Sequence, residues 1–170
     1  MRVSTLFPLA VHSLIVISIF TGEAEVPGNL KGNFPKQRVS SSFIAGSTGS
    51  NPVIIRGILG QLKKHGYIRV AKGRGGTNLN VPPHMITLWD VYSAVECTNI
   101  SEVFKIHRGA SPFCPIGGNI SCVLSPYFTK AFSAMESELL KVTIRDVTKD
   151  LFTQMQQHIQ KGASASGAPG

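Results

Sequence analysis

Residues 51–66, "NPVIIRGILGQLKKHG", leave the chain little freedom of fold. Asparagine followed by proline starts a helix, because the asparagine side chain accepts a first-turn N–H and proline lacks an N–H that would go unpaired there. Gly66 stops it. Between them Ile55, Ile58, Leu59 and Leu62 fall on one face, leaving Val53, Arg56, Gly60, Lys63 and Lys64 largely on the other. The apolar face needs a core to lie on, and the cationic face needs solvent or an anion.

The flanking sequence supplies the rest of a motif. Upstream, "VSSSFIAGSTGSNP" sets capping serines before a short helix through Phe43, Ile44 and Ala45, and residues 47–50 make a tight turn into the second helix. Downstream, "YIRVAKGRGGTNLNV" reads as a hairpin: residues 67–71 as one strand, 72–76 as the turn, 77–81 as the return strand. Two short helices, a tight turn and a hairpin form a winged helix-turn-helix pattern. Lys72 and Arg74 lie on the hairpin tip, where cations reach phosphates or a minor groove.

The glycines of "KGRGGTNL" do not make a nucleotide cradle. A phosphate loop requires Gly-Lys-Ser/Thr opening a helix, whereas Gly76 leads through Thr77 into a strand, and Asn78 stands where a dinucleotide fingerprint has its third glycine. No carboxylate is near to hold a metal or a ribose. Residues 26–89 hold nine lysines and arginines and no acid, residues 1–25 carry one cation against two acids, and residues 90–170 carry seven of each. The net charge of +8 is therefore one acid-free block, which points to a nucleic acid. With no acid–base or nucleophile constellation, catalysis is not expected.

Elsewhere the signals are coarser. "LFPLAVHSLIVISIF" has the apolar character of a signal peptide, but His12 and Ser13 interrupt it and the cleavage site after it is weak. It is too short to span a membrane. Leu6, Leu9, Ala10, Leu14 and Ile17 recur at helical spacing, which predicts a mostly buried helix ended by Gly22. Residues 22–38, with three glycines and two prolines, read as a long, partly disordered loop.

Thr87 and Asp90 form a capping box that opens a helix striped by Leu88, Val91, Tyr92 and Val95. Residues 97–126 are irregular. From Tyr127 to about Ile159, Phe132, Met135, Leu139, Val147, Leu151 and Met155 predict a long helix, with Thr143 and Asp146 as a second capping-box pair that restarts it after a break. Its stripe serves either a partner helix or the chain's own core. The last residues, "GASASGAPG", are expected to be disordered.

Three cysteines without a CxxC pair argue against a secreted disulfide framework and for a reducing compartment, and support no zinc site. Cys114, in "FCPIGG", is a redox-sensing thiol or an inert one according to its access and pKa.

In combination, "LAVHSL", "SNPVIIRGILGQLKKHGYI", "GRGGTNLNVPPHMITLWDVYSAVE" and "HRGASPFCPIGGNI" resemble the winged-helix bacterial regulators of the Rrf-two family, which includes iron–sulfur-cluster and nitric-oxide-responsive repressors. The resemblance covers most of residues 4–155. The "CPIG" and "AMESELLKVTIRDV" segments resemble the subgroup without a metal cluster. Cluster-bearing relatives place three cysteines close together before the long helix, whereas here Cys114 and Cys122 are eight apart and Cys97 lies seventeen before Cys114, with His107 as one further donor.

The resemblance implies a mainly α fold with a small β-hairpin: a winged helix-turn-helix domain at 1–84, linker and dimerisation helices at 85–160, and a tail at 161–170. It implies a cytoplasmic homodimer, joined through the long C-terminal helix, that represses by binding double-stranded DNA, with no cofactor, no metal and no membrane association. Ser50, Asn51, Val53, Arg56, Lys63 and Lys64 would meet DNA from the recognition helix, and Lys72, Arg74 and Thr77 from the wing. The alternative is a dimeric interaction or RNA-binding protein that keeps the scaffold without operator specificity. The chain departs from the family at Gly57, where a second arginine is usual, and in the length of the 22–38 loop.

Overall fold

The computed structural model describes residues 5–71, 76–96 and 113–165. Helix α1 (Leu6–Thr21) is the centre of the molecule. Every residue from Ser13 to Ile19 is buried, so the C-terminal half of the helix is enclosed on all sides rather than on one stripe. Its two enclosed serines turn back on their own helix: Ser13 Oγ donates to Leu9 O at 2.6 Å and Ser18 Oγ to Ile15 O at 2.9 Å. Gly22, at φ 85°, ends it in the left-handed region that favours glycine. No helix among the described residues is long and apolar enough to cross a membrane.

The stretch 22–38 is more ordered than its composition suggests. A 3-10 turn (Gly28–Asn33) drives Leu30 into the core at 0% exposure. Phe34 then packs edge-on against Phe20 at 5.8 Å and beside Phe152 at 5.9 Å. Two anchors without a repeat leave no periodicity to read, which is why the segment resembles a loop.

Helix α2 (Ser41–Thr48) is capped by Ser40, whose Oγ accepts from Phe43 N at 3.1 Å, and α3 (Pro52–Lys64) by Asn51, whose Oδ1 accepts from Val53 N at 2.8 Å. His12 of α1 lies 3.0 Å through Nε2 from Ser47 Oγ of α2, and its partial burial pulls the imidazole pKa below its usual value. Ile55, Ile58, Leu59 and Leu62 of α3 are buried against the α1 core, as the spacing predicts. The hairpin follows, with β1 (Ile68–Ala71) and β2 (Gly76–Leu79) antiparallel in the register Ile68 to Leu79 and Ala71 to Gly76. Both strands are shorter than the sequence suggests, because Tyr67 and Asn80 are already in the closing bonds of the hairpin base: Asn80 N donates to Tyr67 O at 2.9 Å.

Helix α4 (Leu88–Val95) opens on the expected capping box, with Asp90 N donating to Thr87 Oγ1 at 3.1 Å and Thr87 N to Asp90 Oδ2 at 2.8 Å. The C-terminal half then departs from a single restarted helix beginning at Tyr127. Helix α5 (Gly117–Leu139) begins ten residues earlier and carries Pro126 inside it, and α6 (Ile144–Ala165) extends beyond residue 161, where a tail was expected.

The two helices have different fates. None of the 23 residues of α5 is buried, and its Phe132 meets Trp89 of α4 edge-on at 5.6 Å. Helix α6 lies on the chain's own core through Ile144 and Phe152, with Val147 and Met155 packed beside them. It starts at a second capping box, Thr143 with Asp146, whose bonds from Thr143 hold the Asp146 carboxyl below the usual range. The two boxes meet: Leu88 N donates to Val142 O at 2.8 Å and Ile144 N to Ile86 O at 2.9 Å, an antiparallel bridge between Thr87 and Thr143. One buried cluster thus runs from α1 through α3, α4 and α6, across residue 84.

Candidate nucleic-acid interface

The outward side of α3 is the site's floor. Val53, Gly57, Gly60 and Lys64 follow one another at i, i+4, i+7 and i+11 along that side, and all are exposed. Arg56 and Lys63 flank this line and are exposed as well. Between α3, the start of α2 and the hairpin lies a cleft of about 430 Å³, walled by Arg38, Arg56 and Lys63 with Val39, Val70 and Gly76. Among the described residues, Arg56, Lys63, Lys64 and Arg69 form no ion pair. Three cations converge on one cleft with no acid in the surrounding segment, so the local field favours an anion.

Of the expected contact residues, Arg56, Lys63 and Thr77 line this cleft. Ser50 is half-buried, and its backbone N–H donates to Ala45 O at 3.1 Å, so it closes the turn between α2 and α3. Asn51 is exposed, but its Oδ1 is committed to capping the helix. Val53, Arg56, Lys63 and Lys64 face outward. Thr77 is the most enclosed of them: at 3% exposure, it pairs with Val70 across the hairpin and donates its N–H to Val39 O at 2.8 Å, and what surface it keeps lines the cleft. Gly76 starts the return strand, and on that strand Gly76, Thr77 and Leu79 are buried where the hairpin docks. Lys72 and Arg74 lie outside the described residues.

Arg38 is the residue that sequence reasoning left unassigned. It precedes the Ser40 cap in what reads as loop, and its one signal was membership of the acid-free block. The hairpin is also tied to α4 at its base: burial first, and then the adjacent Asp90 carboxylate with its hydrogen bond, raise the Tyr67 phenol pKa.

Cys114 stands just before α5, fully in solvent, and the backbone N–H groups of Gly117 and then Ile116 lower its thiol pKa. Cys114 is therefore exposed and not buried. Cys122 is also exposed. Among the described residues no three His, Cys, Asp or Glu side chains converge. Cys97 and His107 lie outside the described residues.

Comparison with known proteins converges on one family. The profile of the Rrf2 family, described as iron-dependent transcriptional regulators, matches residues 28–150. The candidate HTH-type transcriptional regulator YwnA of Bacillus subtilis is 35% identical over 116 residues, covering 68% of this chain and 86% of YwnA. The structure of a candidate transcriptional regulator from Lactobacillus plantarum superposes with a TM-score of 0.69 at 29% identity, over 92% of this chain and 97% of that one. T. potens IscR, at 20% identity, shares the fold with a TM-score of 0.60 over 89% of this chain and 88% of its own. With a profile match across most of its length, a hairpin wing beside a cationic helix, and relatives of the same architecture, the chain belongs to the Rrf2 family of transcriptional regulators.

Proposed function

We propose that the protein is a sequence-specific double-stranded DNA-binding repressor that acts as a cytoplasmic homodimer, by non-covalent occupancy, without catalysis and without a cluster. The observation that carries this is the cleft where Arg38, Arg56 and Lys63 converge between α3 and the hairpin, inside a segment with no acidic residue. Phosphates would lie against that cleft and the lysines of α3, and base edges against the first turn of α3. Dimerisation is assigned to α5, because none of its 23 residues is fully buried within the chain while Val123 and Tyr127 stand exposed along it. Helix α6 is the less suitable surface, since its apolar side is spent on the chain's own core.

The test is a salt titration of the full chain against selected and random duplexes, with the mass of the free protein measured by sedimentation. Affinity is expected to fall with a log–log slope of about −0.9 per phosphate neutralised, or roughly a thousandfold between 50 and 200 mM salt if about six are contacted. Selected duplexes should bind well above random ones, and the free protein should sediment at twice the monomer mass. Equal affinity for both duplexes would move the assignment to a scaffold without operator specificity.

A second role is favoured at Cys114, where solvent access and a lowered pKa coincide. We propose it as a redox-responsive thiol. Iodoacetamide should modify Cys114 faster than Cys122 at neutral pH, with the gap closing as the pH rises through the ordinary thiol range. Matching rates at both cysteines across that range would remove Cys114 from consideration.

A further inference from the structure

We propose that α3 reads thymine through its C5 methyl group, with Val53 as the reading side chain. This rests on α3 being the DNA-facing helix and names what that helix recognises. A single exposed valine on a protein surface calls for no explanation. Val53 is different because of its position: it is 62% exposed in the first turn of α3, the end of a recognition helix that meets base edges.

Its neighbours on the outward line leave it the reading position. Gly57 and Gly60 follow it, and a Cβ at either would meet nothing within 4 Å. The helix backbone can therefore press close to a groove, with Val53 the first projecting side chain and Lys64 the last. Arg56 and Lys63 flank the line on the cleft side and Ile54, 44% exposed, on the other. The polar residue nearest to Val53 in the chain is partly spent: Asn51 Oδ1 accepts from Val53 N at 2.8 Å, so Asn51 cannot also offer the paired donor and acceptor that reads adenine. Of the groups on the major-groove edge, the thymine methyl is the one that an apolar side chain recognises. Cations on the flanks hold the backbone phosphates while the apolar tip meets that methyl.

The experiment uses the full chain and a pool of random duplexes. Sequences enriched by binding are resynthesised with uracil in place of each enriched thymine, which removes only the methyl group. Wild-type protein is expected to bind about fourfold more weakly for each contacted methyl lost. With Val53→Ala that uracil penalty should vanish, whereas with Lys64→Ala it should persist on a uniformly weaker background. Val53 is exposed, so its truncation leaves the core untouched. Enrichment of duplexes in which no thymine is sensitive to uracil, or a penalty unchanged by Val53→Ala, overturns the inference while leaving operator binding intact. Failure to enrich any sequence overturns both.

Discussion

Replacing Ile144 with alanine is expected to lower the unfolding free energy by about 2–5 kcal/mol. Ile144 is 0% exposed at the start of α6, and its backbone N–H donates to Ile86 O across the bridge that joins the two capping boxes. The loss would combine the transfer free energy of the missing methyl and methylene groups with a cavity term. Cavity collapse is limited here, because the bridge pins the backbone on both sides and Asp146 fixes the helix start. Urea unfolding followed through Trp89, the chain's one tryptophan, gives the measurement. The midpoint should fall with the slope unchanged, as expected when stability rather than compactness changes. A change well below 1 kcal/mol would mean that α6 does not rest on the core.

The second large effect is expected at Gly76. Its φ is +71°, and a Cβ there would stand 2.8 Å from Arg38 Cγ, 3.0 Å from Val39 O and 3.3 Å from Val39 N. The arginine stem can swing away, but the Val39 backbone cannot, since its carbonyl holds the Thr77 N–H at 2.8 Å. Gly76→Ala should therefore cost about 2–4 kcal/mol, from left-handed strain and from overpacking together. The hairpin would lift from Val39 and open the wall of the cationic cleft, so DNA affinity should drop as well. Gly57→Ala is the control: the same chemical change in a helix with open space around it should add about 1 kcal/mol of stability. If the Gly76 and Gly57 variants unfold alike, the hairpin is not docked on Val39.

These two sites differ in how far the sequence exposed them. The capping boxes at Thr87 and Thr143 are visible as Thr-x-x-Asp pairs, and both form. Their meeting is not visible, because it depends on two backbone strands far apart in the chain being brought edge to edge. Gly76 belongs to a glycine-rich turn that predicts a hairpin, yet nothing local says that Val39 lies against it. Thr77 shows the consequence: placed by the motif on the wing surface, it is turned inward by the docking that Gly76 permits.

The C-terminal helices carry the same lesson further. The apolar stripe from Tyr127 to Ile159 suits a partner or the chain's own core equally well, and the structure seats α6 on the core through Ile144 and Phe152, outside that stripe, with Val147 and Met155 beside them and Leu151 exposed, while no residue of α5 is fully buried. Pro126, which locally reads as the end of an irregular stretch, sits inside α5. Leu30 joins the buried core as a single apolar side chain, without any repeat around it.

Besides the acid-free charge block over residues 26–89, which points to an anionic partner, the sequence by itself determined what is settled within a turn or two of chain: the Asn51 and Ser40 caps, the buried face of α3 and the hairpin that follows it. Those follow from hydrogen bonds and side-chain periodicities that span about four residues. Only the tertiary structure decided which apolar helix is spent on the core, which wing residue turns inward, and that Arg38 joins Arg56 and Lys63 at one cleft. Each of these depends on surfaces from separate parts of the chain competing for the same limited interior, and packing density leaves room for one solution.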